Sequence, residues 1–111
     1  MTAVSEIINF ISHFKGSEHV FLNGCCYWFA QILHERFGLS IVYEPIDGHF
    51  MAMGIGRFLF DIRGDVTDIY KDSELYSLNW LEHREPVWYE HLMRDCRDFT
   101  DRIKEDKQRD D

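Results

Sequence analysis

Ile7, Ile8, Phe10, Ile11 and Phe14 recur at three- and four-residue steps within an otherwise polar stretch, the spacing that lines one face of an α-helix. The pattern predicts an amphipathic helix over Ser5–Phe14, stopped by Gly16. From Lys15 to Gly24 the chain turns polar and glycine-containing around an apolar patch of Val20, Phe21 and Leu22, which reads as a loop ending at Asn23-Gly24. Asparagine caps helices well because its side chain accepts from the free amides of the first turn. A second helix is therefore expected to start near Asn23-Gly24 and to run to Phe37, with Phe29, Ile32, Leu33 and Phe37 as its apolar stripe and Gly38 as its stop.

Beyond Gly38 the period falls to two. Ser40–Tyr43 is a short β-branched strand ended by Pro45. His49–Met53 and Arg57–Ile62 are two extended runs around Gly54-Ile55-Gly56, a hairpin with a three-residue loop whose glycine takes a positive φ. In that register Met53 faces Arg57, Met51 faces Leu59 and His49 faces Asp61, and the other face carries Phe50, Ala52, Phe58, Phe60 and Ile62. A one-residue slip would turn every side chain over, so a two-residue loop would part His49 from Asp61. The unbroken apolar face favours the three-residue loop, which leaves their Cβ atoms roughly 5 Å apart. Asp65-Val66-Thr67-Asp68 reads as a turn or helix cap, Ser73–His83 as a short helix, and Val87–Ile103, after Pro86, as a closing helix with Trp88, Leu92, Cys96 and Phe99 at helical spacing. Lys104–Asp111 is wholly polar and expected to fray.

This order of elements predicts an α+β domain. One domain over 1–111 is expected, with a helix and loop in 1–22, a core in 23–67, C-terminal helices in 68–103 and a tail in 104–111. The 45% hydrophobic and 15% aromatic content supplies that core. Twelve basic against twenty acidic residues give a net charge of −8, and the two signs are interleaved. Such a surface repels nucleic acid and anionic membranes and accommodates a neutral or cationic partner. Three cysteines, two of them adjacent, make no disulfide framework. With no basic region leading into an apolar run at the amino terminus, and no stretch long enough to cross a bilayer, a cytoplasmic setting with free thiols is expected.

Cys25 and Cys26 fall at a helix start, where the helix dipole favours a thiolate. A histidine can take the thiol proton and a carboxylate can fix that histidine's tautomer; His49 and Asp61 fit these roles. Adjacent cysteines are poorly spaced for tetrahedral zinc, and His13, His19, His34, His83 and His91 show no ligand pattern, so neither metal nor cofactor is expected.

The local words agree with this order. Asn23-Gly24-Cys25-Cys26-Tyr27-Trp28-Phe29-Ala30 resembles the helix start of papain-like and transglutaminase-like proteins, Gly48-His49-Phe50-Met51-Ala52 resembles their histidine strand, and Gly56-Arg57-Phe58-Leu59-Phe60-Asp61 resembles the strand ending in the third catalytic residue of the transglutaminase-like branch. The resemblance spans about Asn23–Thr67 and implies a papain-like core, the Cys-bearing helix packed on a small antiparallel sheet. It implies Cys26 as nucleophile, with Phe29 three positions on; Cys25, with Trp28 at that offset, is the alternative. Asp65, in an Asp-x-Thr word, competes with Asp61 as the carboxylate, and the Cys26 amide and the Asn23 side chain are candidate oxyanion donors. The activity implied is a cysteine-dependent amide or thioester hydrolase or acyl transferase acting on a protein or peptide-like substrate. A non-catalytic interaction protein on the same fold, phage- or mobile-element-borne and docking onto a host protein, is the other reading.

Overall fold

In the computed structural model, residues 3–14, 16 and 26–95 are described. Ile7 and Ile11, one turn apart, are the buried residues of helix α1 (Val4–Ser12), as the three- and four-residue spacing predicts. Phe29, Ala30 and Leu33 form the buried stripe of α2, which spans Cys26–Phe37. Gly38 ends α2 in the left-handed region at φ 72°, its N–H donating to the His34 carbonyl at 2.8 Å.

Five strands follow: β1 (Ser40–Glu44), β2 (His49–Met53), β3 (Leu59–Asp61), β4 (Gly64–Asp65) and β5 (Tyr76–Ser77). They form one sheet in the order β4-β3-β2-β1-β5, every neighbouring pair antiparallel. Helix α3 (Leu78–Arg84) follows β5, its first turn capped by the Ser77 hydroxyl accepting from the Trp80 amide. Helix α4 covers 86–95. Among the described residues the protein is thus α+β, with four helices and a small antiparallel sheet.

Apolar side chains alternate along the central strands, and both sheet faces are covered. On one face Ala52, Phe60 and Ile62 pack with Ile7 and Ile11 of α1 and Phe29 and Leu33 of α2. Beside them Cys26, Ala30, Ile41, Tyr43, Phe50 and Leu81 form a second cluster, flanked by Trp88 and Leu92 of α4. The other face buries Val42, Met51, Leu59, Val66 and Tyr70. His49 stands on this second side, where its ring is buried in a hydrogen bond with Asp61.

Two expectations are corrected. The β2–β3 ladder pairs Ala52 with Phe60 and Met53 with Leu59, two residues away from the predicted register. The loop is therefore Gly54–Phe58, five residues long, because Gly56 and Arg57 are both left-handed, at φ 83° and 63°. The Arg57 guanidinium donates to the Lys71 and Ser73 carbonyls, which holds it out of the strand, and Phe58 turns out to 42% exposure instead of joining the apolar face. A two-residue shift preserves side-chain parity, so His49 and Asp61 still share a face, now diagonally. The helix expected from Ser73 begins only at Leu78, since Tyr76–Ser77 pair with β1. Asp65 lies in β4, and its carboxylate closes the turn expected over Asp65–Asp68. Asn23, Cys25, Cys96, Phe99 and the tail lie outside the described residues.

Candidate active site

Helix α2 presents Cys26 in its first turn, over the middle of the sheet. Gly54 donates to Phe58, so the even-numbered amides of β2 point toward β3. The paired residues stop at Ala52 and Phe60. The next amide on that side, Phe50 N–H, donates to Cys26 Sγ at 3.4 Å instead. The thiol thus occupies the place where the ladder opens.

His49 begins β2 at 6% exposure, and Asp61 ends β3 at 3%. The His49 Nε2–H donates to Asp61 Oδ2 at 2.8 Å, which leaves Nδ1 as the ring nitrogen available to the sulfur. Burial would lower the His49 pKa. The hydrogen bond to Asp61, then the hydrogen bond and charge of Cys26, outweigh it and lift the imidazole to about 9. A protonated ring at neutral pH follows. Burial would likewise raise the Asp61 carboxyl, but its bonds to His49 and Arg63 hold it below the usual carboxylate range.

Arg63 is the residue that sequence reasoning missed. Its amide donates to Asp61 Oδ1 at 2.7 Å. Its guanidinium reaches Oδ1 from Nε at 3.2 Å and Oδ2 from Nε at 3.0 Å and Nη2 at 2.6 Å. Oδ2 is therefore shared between an imidazole and a guanidinium. Behind Arg63 stands Tyr70, whose ring stacks on His49 at 6.0 Å between centroids. Its hydroxyl donates to Asp47 Oδ2 at 2.9 Å and faces Arg63 Nη2 at 3.4 Å. The sequence signal for Arg63 was its place two residues after Asp61, immediately before Gly64; Tyr70 carried none, because its role depends on a fold that brings residue 70 back over β2.

Cys26, His49 and Asp61 are thus brought together. Asp65 is not: its Oδ1 accepts from the Thr67 amide and hydroxyl, closing a turn whose hydroxyl also takes the Leu59 amide. Buried Glu44 is likewise spent on backbone, accepting from the Ile46 and Asp47 amides at 2.8 and 2.7 Å. Among the described residues no group of three His, Cys, Asp or Glu side chains is arranged to hold a metal ion, and no helix is long and apolar enough to cross a membrane.

Residues 4–97 match the family model described as Phage YunG-like protein. No curated protein and no solved structure matches the chain.

Proposed function

The chain belongs to the phage YunG-like protein family, and within that setting we propose that it is a cysteine-dependent hydrolase or acyl transferase acting on an amide or thioester, built on a minimal papain-like core of the transglutaminase-like kind. The observation that carries this reading is the buried chain of contacts from Cys26 through His49 to Asp61. A thiol in the first turn of a helix, packed against an imidazole strand braced from the neighbouring strand, is also the arrangement expected of that core.

The resting pair is a Cys26 thiolate beside protonated His49, the thiol proton having already passed to the ring, and the thiolate attacks the substrate carbonyl carbon. The oxygen of the tetrahedral adduct takes the Cys26 amide as one donor, with Asn23 as the candidate second. The adduct collapses to a thioester on Cys26, and the imidazolium returns its proton to the departing amine or thiol. Neutral His49 then removes a proton from water or from an acceptor amine, which attacks the thioester and frees Cys26. Asp61 keeps Nε2 protonated throughout, so Nδ1 does the proton transfer. A cytoplasmic setting would keep the thiol reduced.

One feature favours the second reading, a non-catalytic phage-borne interaction protein: Cys26 is only 8% exposed, as a core thiol would be. Iodoacetamide alkylation across pH, read by peptide mass spectrometry, separates the two. Catalysis requires Cys26 to react well below pH 8 and at least about tenfold faster than Cys25 and Cys96. It also requires a small acyl thioester probe to leave an acyl adduct on Cys26 that is lost in H49A. Uniformly slow alkylation with no adduct would end the enzyme reading.

A further inference from the structure

We propose that the cleft between the Gly54–Phe58 loop and β5 binds a small amphipathic anion, a carboxylate carried on an apolar or aromatic body, with Arg57 as its charge partner. The cleft has a volume of about 710 Å³ and is lined by Val42, Met53, Leu75, Tyr76 and Trp80, with Arg57 beside them. This size and character suit a small organic ligand. Val42 and Met53 supply an apolar sheet surface. Tyr76 and Trp80 stack at 5.1 Å with their planes 23° apart, and Trp80 remains 41% exposed, which leaves an aromatic wall turned to solvent.

Arg57 makes this more than an apolar dent. It holds a left-handed φ of 63°, a conformation that residues with a Cβ rarely adopt and that concentrates at functional positions. Two guanidinium nitrogens are fixed on the Lys71 and Ser73 carbonyls at 2.5 and 2.6 Å. Neutral carbonyls orient the group without cancelling its charge. Arg63 is ion-paired with Asp61, whereas among the described residues no carboxylate is paired with Arg57, in a chain whose net charge is −8. Glu74, which follows Ser73 in the chain, is engaged by the Tyr76 hydroxyl. A neutral apolar ligand would leave this oriented cation without an anionic partner, and inorganic phosphate would leave the apolar walls unfilled. A carboxylate on an apolar body satisfies both. The cleft lies at the Met53 end of β2, about 13 Å along the strand from His49 at ~3.3 Å per residue, so the proposal stands independently of the catalytic reading.

Titrating the full ¹⁵N-labelled chain with 1-naphthaleneacetate, and separately with neutral 1-naphthaleneethanol, tests it. The acid is expected to bind at least about tenfold tighter than the alcohol, the usual worth of a charged hydrogen-bond partner. Its shifts should centre on the Arg57 side chain and the Trp80 indole. R57Q should bring the acid down to the alcohol's affinity while alkylation of Cys26 is unchanged. Should R57Q loosen the loop, W80L decides, because it leaves the Arg57 tether intact and should weaken both compounds alike. Equal affinity for acid and alcohol, shifts centred elsewhere, or no saturation at millimolar acid would overturn the proposal.

Discussion

Replacing Asp61 by asparagine removes one negative charge from a pair of buried groups and leaves their shapes nearly unchanged. In the native protein the His49 pKa stands at about 9, against 6.5 for the free side chain. At 1.36 kcal/mol per pKa unit, that difference corresponds to about 3 kcal/mol of folding stability. Its sign follows from the direction. A histidine whose pKa is raised by folding contributes fully below its unfolded pKa, and the contribution fades as pH climbs from about 6.5 through 9. The Asp61 carboxyl is shifted the other way, so its share is present above the ordinary carboxylate pKa and is lost as pH falls through the depressed one. The attraction between the two is a single quantity, to be counted once.

In D61N His49 loses the hydrogen bond and charge of Asp61, the first of the influences that raise it, so its pKa should fall clearly below the native value of about 9. Urea unfolding followed by tryptophan fluorescence at several values between about pH 6 and about pH 9.5 is the assay. The stability gap between the native protein and D61N should shrink by up to about 3 kcal/mol across that window, as native His49 loses its proton. The His49 ring resonances should titrate near 9 in the native protein and at clearly lower pH in D61N. Tyr70, whose phenol is pushed up from 10 by burial, titrates outside the window. A gap constant from pH 6 to pH 9.5, or equal His49 midpoints in the two proteins, would refute the reasoning.

R63Q removes the cation that shares Asp61 Oδ2 with His49; the His49 midpoint should rise above about 9 and Asp61 should move back toward the ordinary carboxylate range, both read by NMR titration. An unchanged His49 midpoint would make Arg63 a surface tether alone. F29A empties a site that is 1% exposed in the main core and should cost about 3–5 kcal/mol in urea unfolding; a loss under about 1 kcal/mol would mean that α2 packs more loosely on the sheet than the geometry requires. G38A places a methyl group where no atom lies within 4 Å, so the φ of 72° is the only obstacle, and a loss of about 1–2 kcal/mol is expected.

The elements that bury one face over several residues were legible in the chain. The α1 and α2 stripes survive because Ile7, Ile11, Phe29 and Leu33 have no other way to leave water together. The short strands were not legible: β4 and β5 have two residues each, too few for any period, and exist only because β3 and β1 offer them an edge. Tyr76 and Ser77 also adjoin a real helix, which drew the predicted one upstream. The hairpin faces were legible from alternation, but its register was not, because loop length depended on Arg57 leaving the strand to reach carbonyls at Lys71 and Ser73. The shift was even, which is why His49 and Asp61 remained together.

That shift also explains why the constellation includes Arg63 and why asparagine, not alanine, is the informative replacement at Asp61. If β2 and β3 stayed paired one step further, the Phe50 amide would meet Ile62 across the ladder and Cys26 would lose the donor that now faces its sulfur. β3 instead ends at Asp61, and a two-residue turn through Ile62 and Arg63 returns the chain into β4, with Asp61 paired to Gly64. Asp61 Oδ1 fastens that turn by accepting the Arg63 amide at 2.7 Å, while Oδ2 braces His49. One carboxylate therefore ends the strand that would otherwise exclude the thiol and holds the imidazole that faces it. Alanine would undo both functions at once, whereas asparagine keeps an oxygen for the turn and puts an amide NH2, which cannot accept from His49, where Oδ2 stands, so a changed pH profile with the fold retained isolates the brace on the imidazole.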